Sequence, residues 1–130
     1  DPAAVECARS NAQRASLAPV HVLQADLFDT PELPEHSFDA IVFNLPFFHR
    51  GCASIEELAL TDLNGQLARR FFDQADHYLC PQGEIWFTWS NLSDPAILES
   101  ARAKWAFELR LAELAPDSGI WKFAYRGTVR

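Results

Sequence analysis

The 130-residue sequence contains no methionine, and it has only five glycines and three cysteines. Because even an initiator methionine is absent, we expect the sequence to be a piece of a longer chain. No apolar run approaches the roughly 20 residues that a membrane helix needs. Residues 1–6 have neither the basic start nor the apolar stretch of a signal peptide. These absences favour a soluble protein.

The cysteines are odd in number and widely spaced, and they include no Cys-x-x-Cys pair: Cys7, Cys52 and Cys80. Such spacing predicts neither a disulfide framework nor a zinc knuckle. The four histidines also lack the spacing of metal ligands, so no metal site is predicted. Reduced thiols are typical of the cytoplasm, and we expect a cytoplasmic location.

The sequence also lacks a basic stripe. Residues 1–62 hold ten acidic side chains and three arginines, whereas residues 63–130 hold eight acidic and eight basic side chains. Clustered lysines and arginines usually neutralise the phosphates in non-specific nucleic-acid binding. A nucleic-acid substrate would therefore need help from another part of the protein or from a partner.

The composition supports one globular domain, because 48 % of the residues are hydrophobic and 22 % are charged. We expect residues 1–130 to form that single domain. The spacing of apolar residues predicts a helix from Pro2 and a short strand over 20–25 that ends at Asp26. A second strand over 38–43 is apolar without alternation, which predicts that both of its faces are covered.

A segment of about twenty residues with no strong period follows this strand, and stretches of that kind are often functional lids. His49, Arg50 and Cys52 lie on it. The later patterns then alternate: a helix over 67–79 with a turn at 80–83, a strand over 84–90, a helix from Ser93-Asp94-Pro95 to Trp105, and a hairpin over 107–126. This order predicts an α/β fold with three layers and a mainly parallel sheet that ends in an antiparallel hairpin.

In such sheets ligands bind outside the carboxyl ends of the strands. The residues at these positions are Asp26, the segment from Asn44 to Phe48, and Ser90 with Asn91. Asp26 is equally well explained as a turn or capping acid.

The tetrapeptide Asn44-Leu45-Pro46-Phe47 offers a specific chemistry. The Asn44 amide oxygen and the Leu45 carbonyl are two acceptors that could hold one amine and direct its lone pair outward. Pro46 fixes the local backbone, and the Phe47 ring offers a face for a planar group. By itself the tetrapeptide is more often structural: Asn44 would make a turn, Pro46 would end the strand, and Phe47 would belong to the core.

Four segments in the same order and spacing resemble the class I, Rossmann-like S-adenosylmethionine-dependent methyltransferases. Residues 1–12 look like the helix that follows the family's ribose-binding acid, and residues 22–28 look like the strand whose terminal Asp contacts the adenine. Residues 38–47 are similar to the fourth strand with the Asn-Pro-Pro-aromatic motif. Residues 79–85 resemble the Gly turn before the fifth strand, and the closing hairpin also matches.

This resemblance implies an N-methyltransferase that uses S-adenosylmethionine. Its acceptor would be a planar amine or amide, either the exocyclic amine of an RNA or DNA base or a protein glutamine. The catalytic positions would be Asn44, Leu45, Pro46 and Phe47. Leu45 departs from the family's proline, but a backbone carbonyl is the contribution expected there.

The resemblance further implies that Asp1, Asp26, Leu27 and Asn44 bind the cofactor. The family's first strand and Gly-rich loop are absent from the sequence, and the family's usual Asp-x-Asp-Pro pattern favours a ribose acid two positions upstream of Asp1. Two other interpretations remain: a non-catalytic α/β interaction domain or inactive fragment, and a nicotinamide-dependent oxidoreductase, which the closing hairpin disfavours.

Overall fold

The computed structural model describes residues 1–16, 19–48 and 60–130. The chain divides into two compact units, an N-terminal unit of Asp1–Leu33 and a C-terminal unit of Pro34–Arg130. The predicted lid, with His49, Arg50 and Cys52, lies outside the described residues. The expectation of one domain stays a prediction. Within the described ranges, no helix is long and apolar enough to cross a membrane.

The N-terminal unit begins with the predicted helix, α1 (Pro2–Arg14). Pro2 suits the first turn because a helix leaves its first N–H groups unpaired. Asp1 caps the helix, since its Oδ1 accepts a 2.9 Å hydrogen bond from the Ala3 N–H. The helix ends in a turn in which the Ala15 N–H donates to the Asn11 carbonyl.

The strand predicted over 20–25 does not form. A strand is stabilised by hydrogen bonds to a neighbouring strand, and the described residues of the N-terminal unit contain no strand that could pair with it. Arg9 contacts the segment instead, because its Nη2 donates to the Val22 carbonyl at 3.3 Å. The prediction of a strand over 20–25 is therefore wrong.

The C-terminal unit is built on a four-stranded sheet in the order β1-β2-β4-β3. Its strands are β1 (Phe38–Phe43), β2 (Leu79–Ser90), β3 (Trp105–Leu114) and β4 (Trp121–Val129). The β1–β2 pair is parallel, and the two pairs made by β4 are antiparallel. The sheet described here is thus mixed, and the prediction of a mainly parallel sheet is wrong for it, because the predicted strand over 20–25 adds no parallel pair.

The closing hairpin of β3 and β4 is confirmed, and it pairs from Trp105↔Val129 to Leu114↔Trp121. The β1–β2 pairing contains an irregularity: Phe38 faces Leu79, whereas Ala40 faces Glu84. Residues 80–83 therefore form a bulge in β2. Across the bulge the Cys80 thiol donates to Asp39 Oδ1 at 3.2 Å, and this hydrogen bond raises the pKa of Cys80.

Two helices follow the strands, α2 (Gln66–Gln74) and α3 (Pro95–Ala101). Both helices end earlier than the patterns predicted. After α2 comes a short 3₁₀ turn, Ala75–His77, and β2 already starts at Leu79. The helix that was predicted to reach Trp105 ends at Ala101, and Trp105 is instead the first residue of β3.

The core lies between these helices and one face of the sheet, which we call the helix face. Phe72 packs edge-on against Phe87 at a centroid distance of 5.0 Å and also contacts Trp89 and Phe107. Trp105 is completely buried, and its Nε1–H donates to the Phe72 carbonyl at 2.8 Å. Phe87 and Trp89 of β2 therefore belong to the core, whereas Trp86 is half-buried on the opposite face of the sheet.

The opposite face of the sheet, which we call the second face, is open at β1. Val42 is 78 % exposed, so the prediction that both faces of this strand are covered is wrong. The described helices of the C-terminal unit pack on the helix face, where Phe43 contacts Phe71 with ring centroids 5.2 Å apart. For a strand at the edge of a sheet, an apolar run without alternation is consequently a weak indicator that other elements pack on both of its faces.

Candidate active site at the end of strand β1

The tetrapeptide Asn44-Leu45-Pro46-Phe47 directly follows β1, as the sequence predicted. Because β1 and β2 are parallel, their carboxyl ends meet at the same edge of the sheet. Phe43 pairs with Phe87 in this register, so Asn44 lies beside Thr88. The motif therefore lies at the edge where ligands bind in α/β sheets.

Asn44 is exposed, but its side chain is held in place. The Thr88 hydroxyl donates a 2.6 Å hydrogen bond to Asn44 Oδ1. An amide oxygen can accept two hydrogen bonds, so one acceptor position is left for a ligand. The Thr88 bond also fixes the plane of the amide, which limits the direction from which a second donor can approach.

Leu45 and Pro46 are both buried, and Leu45 is only 1 % exposed. The side chain at this position is therefore part of the core. The leucine at the position of the family's proline is thus an apolar anchor, and its backbone carbonyl is the group that the sequence predicts for the site. Because these two residues are buried, they hold the backbone next to the exposed Asn44 in place.

Phe47 and Phe48 are half-buried, and their rings contact each other with centroids 4.8 Å apart. The backbone of Phe48 makes two hydrogen bonds to the chain beyond the predicted lid. Its N–H donates to the Leu60 carbonyl at 3.0 Å, and its carbonyl accepts from the Asp62 N–H at 2.8 Å. The two ends of the segment 49–59 are thus joined next to the motif.

Asp62 is a buried acid, with only 5 % of its surface exposed. The sequence analysis did not identify it as a candidate residue. Its two carboxylate oxygens accept hydrogen bonds from the N–H groups of Leu67 and Ala68, each at 2.9 Å. These groups belong to the first turn of α2, where unpaired N–H groups favour a negative charge. Asp62 therefore links the start of α2 to the backbone of Phe48.

Gly65 lies between Asp62 and α2, with φ at +65°. This left-handed conformation is readily adopted only by glycine and, less readily, by asparagine. The preceding residue is Asn64, with φ at 58°. Two consecutive left-handed residues turn the chain sharply into α2.

The predicted cofactor-binding residues Asp26 and Leu27 form a tight turn in the N-terminal unit. The Asp29 N–H donates to the Asp26 carbonyl at 3.0 Å, and Asp26 and Asp29 form an isolated antiparallel bridge. Leu27 has φ at 54°, a rare conformation for a residue with a branched apolar side chain. Asp1, the third candidate in this unit, is the cap of α1.

Ser90 is the last residue of β2 and Asn91 follows it, and the structure gives both a structural role. Asn91 Oδ1 accepts from the Trp121 N–H at 2.8 Å, and its Nδ2 donates to the Gly119 carbonyl at 3.2 Å. Ser90 Oγ accepts from the Leu92 N–H. These bonds attach the end of β2 to the turn of the closing hairpin.

A charged cluster lies on the second face, away from the helices. Hydrogen bonds from Trp86 Nε1 and then from Arg126 Nε lower the pKa of Glu84 below its ordinary value of 4.5. Arg126 also contacts Glu108 at 3.6 Å, and the Arg110 guanidinium lies 5.9 Å from the centre of the Trp86 ring. This cluster connects β2, β3 and β4.

The structure therefore brings the four motif residues together at one strand end and adds Thr88, which the sequence analysis missed. Thr88 is a polar residue within the aromatic run of β2, and this was the feature of the sequence that could have indicated it. Its contact with Asn44 could not be predicted without the register of β1 against β2. Asp1, Asp26 and Leu27 belong to the N-terminal unit, where Asp26 and Leu27 share one turn.

A mixed α/β sheet with this motif after a parallel strand is compatible with the fold of a class I methyltransferase. The family model of the methyltransferase small domain matches residues 1–104, which is most of the chain. The chain belongs to this family, and the family implies methyl transfer that depends on S-adenosylmethionine. A comparison with curated proteins finds no match.

Proposed function

We propose that the protein transfers a methyl group from S-adenosylmethionine to the nitrogen of a planar amine or amide held by Asn44. The acceptor is an exocyclic amine of an RNA or DNA base, or a protein glutamine. The observation that carries this proposal is the 2.6 Å hydrogen bond that fixes the Asn44 amide and leaves one acceptor position on Oδ1.

The motif would act mainly by positioning. Asn44 Oδ1 and the Leu45 carbonyl each accept one N–H of the amine, which directs the nitrogen lone pair toward the incoming methyl group. The nitrogen becomes more positive as it attacks, so both acceptors bind the transition state more tightly than the ground state. Thr88 is a positioning residue, because it acts through Asn44.

The ring of Phe47 would support the planar group. It is half-buried and its ring contacts the Phe48 ring, and part of its surface faces solvent. Stacking of a base on an aromatic side chain contributes about 1–3 kcal/mol. A glutamine amide is also planar and would gain less from this contact, because its apolar area is smaller.

The cofactor supplies an electrophilic methyl group when it is bound. In the N-terminal unit Asp26 is exposed, and its carboxylate fits as an acceptor for the adenine amino group. The Leu27 N–H fits as a donor to the adenine ring. One carboxylate oxygen of Asp1 is used by the helix cap, and the other fits a ribose hydroxyl. We further infer a Rossmann-like three-layer arrangement for the complete fold.

The proposal is tested by methyl transfer from radiolabelled S-adenosylmethionine to RNA, DNA and a glutamine peptide. We expect Asn44→Ala to lower kcat by about 10² or more while the cofactor Kd changes little. Thr88→Val should lower kcat by about 10-fold, the equivalent of one neutral hydrogen bond. Asn11→Ala, an exposed asparagine on α1, is the matched control and should leave both values unchanged.

Two outcomes would contradict the proposal. If Asn44→Ala turned over at the rate of the unaltered protein, Asn44 would not hold the acceptor. If isothermal titration detected no binding of S-adenosylmethionine either to this chain or to a version preceded by a Gly-rich strand and loop, the methyltransferase proposal would fail and the alternative of a non-catalytic interaction domain would be favoured.

A further inference from the structure

Phe48, the residue that follows the motif, is attached to residues 60–62 on both sides of its backbone. Its N–H donates to the Leu60 carbonyl, and its carbonyl accepts from the Asp62 N–H. Phe48 and Thr61 accordingly form a parallel bridge. The position of Phe48 is therefore set by residues 60–62.

Asp62 in turn attaches residues 60–62 to the start of α2. Its carboxylate accepts hydrogen bonds from the Leu67 and Ala68 N–H groups, and its carbonyl accepts from the Gly65 N–H at 3.0 Å. Hydrogen bonds to an ionised acceptor are stronger than those between neutral groups. These three bonds fix the position of Asp62 relative to α2.

The helix that Asp62 caps is itself packed into the core. Three residues of α2 are at most 2 % exposed: Ala68, Phe71 and Phe72. Phe71 also contacts Phe43, the last residue of β1, with ring centroids 5.2 Å apart. The helix therefore holds the chain on both sides of the motif. It holds the residue before the motif through Phe71, and the residue after the motif through Asp62.

The two side chains of the motif that face a ligand are oriented by different neighbours. The Asn44 amide is fixed by the Thr88 hydroxyl, which belongs to β2. The Phe47 ring instead contacts the Phe48 ring, with centroids 4.8 Å apart and the planes tilted by 50°. Asn44 is thus held from the sheet, whereas Phe47 is held from α2 by way of Phe48.

We propose that Asp62 is a positioning residue for the methyl acceptor. Through the backbone and ring of Phe48 it holds the Phe47 ring in the plane against which the acceptor stacks. Both carboxylate oxygens of Asp62 are bonded to α2, so Asp62 acts through Phe48 and does not touch the acceptor. This inference rests on the proposed function, because it takes Phe47 as the support for the planar group.

The position of Phe47 predicts a kinetic signature. A stacked ring contacts the acceptor in the ground state and in the transition state alike, and loss of such uniform binding raises KM with little change in kcat. Disturbing Phe47 through Asp62 should therefore raise the KM of the acceptor. Thr88→Val should instead lower kcat, because Asn44 binds the transition state more tightly than the ground state.

The first test is steady-state methyl transfer to RNA, DNA and the glutamine peptide. We expect Asp62→Asn to raise the KM of the methylated acceptor by about 5-fold, the lower end of the effect of a lost stacking contact, with kcat nearly unchanged. In a Phe47→Ala background Asp62→Asn should raise KM no further, because Asp62 acts through Phe47. Asp94→Ala is the matched control, since Asp94 caps α3 through the Ala96 N–H, and it should leave KM unchanged.

A second test needs no methyl transfer. A fluorinated phenylalanine in place of Phe47 reports the surroundings of this ring by fluorine NMR of the whole chain. We expect Asp62→Asn to broaden or split the resonance, because the ring then samples more than one orientation. Asp94→Ala should leave the resonance unchanged.

Three results would overturn the proposal: a fluorine resonance that does not respond to Asp62→Asn, equal rises in KM for Asp62→Asn and Asp94→Ala, or additive effects of Asp62→Asn and Phe47→Ala on KM. Absence of turnover in the unaltered protein is a different outcome. With a fluorine resonance that does respond to Asp62→Asn, it would refute the proposed function and leave Asp62 as the residue that orients Phe47.

Discussion

Replacement of Gly65 by alanine should destabilise the protein through two separable effects. Gly65 has φ at +65°, so any other residue except asparagine is strained there. A Cβ at this position would also lie 2.0 Å from Cδ1 and 3.2 Å from Cγ1 of Ile97. Ile97 belongs to α3 and is buried in the core, so its side chain has little room to move.

The size of the effect follows from these two terms. Backbone strain in the left-handed region costs about 1–2 kcal/mol, and overpacking of a core costs about 1–3 kcal/mol. We therefore expect Gly65→Ala to lower the free energy of unfolding by about 2–5 kcal/mol. This is a large part of the roughly 5–15 kcal/mol by which a native domain is stable.

Urea unfolding followed by tryptophan fluorescence measures this loss, and two variants separate its terms. Gly119→Ala has nearly the same φ, +64°, with nothing within 4 Å of the added Cβ, so it should lose only the strain term. Ile97→Val removes Cδ1 and should cost about 0.5–1.5 kcal/mol by itself. In the Ile97→Val background Gly65→Ala should cost about 1–3 kcal/mol less than in the unaltered protein.

Additive losses in the Gly65→Ala and Ile97→Val double variant would refute this reasoning, because the clash would then not be the cause. Equal losses for Gly65→Ala and Gly119→Ala would do the same.

Two further predictions concern single carboxylates. Asp62→Ala should lower the free energy of unfolding by about 2–4 kcal/mol, because one buried and one part-buried N–H group lose a charged acceptor. Asp62→Asn should lose about half as much in the same urea experiment, and equal losses would exclude the two-oxygen cap. The lowered pKa of Glu84 means that its contribution to stability is complete above pH 4.5 and is lost as the pH falls through the lowered value. The stability difference between the unaltered protein and Glu84→Gln should therefore shrink below pH 4.5, and a difference that does not change with pH would contradict the role of this charge.

The elements that the sequence predicted well are those with local signals. Pro2 after Asp1 and Pro95 after Asp94 both mark helix starts, and both acids cap their helices through a backbone N–H two residues on. The alternating aromatics of the hairpin likewise predicted β3 and β4. In each case the decisive contacts lie within a few residues or across one turn.

The elements predicted wrongly depend on distant neighbours. Residues 20–25 have a strand's composition, but a strand exists only where another strand accepts its hydrogen bonds. Trp105 fits the helical spacing of α3, yet its indole N–H is satisfied by the Phe72 carbonyl, 33 residues earlier in the chain. No local pattern contains that information.

The candidate site divides in the same way. The sequence identified Asn44 because the motif is contiguous, and the family match is consistent with that choice. It missed Thr88, because the contact with Asn44 spans 44 residues and exists only in one register of β1 against β2.

The bulge at residues 80–83 lets β2 carry extra chain without disturbing the candidate site. Four residues of β2 oppose the single residue Asp39 there. A shift of β2 by one position against β1 would place Phe87 or Trp89 beside Asn44, and it would turn the buried side chains of Ile85, Phe87 and Trp89 away from the core. In relatives of this chain, a one-residue length change at this turn should therefore be taken up within the bulge, and the Thr88 contact should stay.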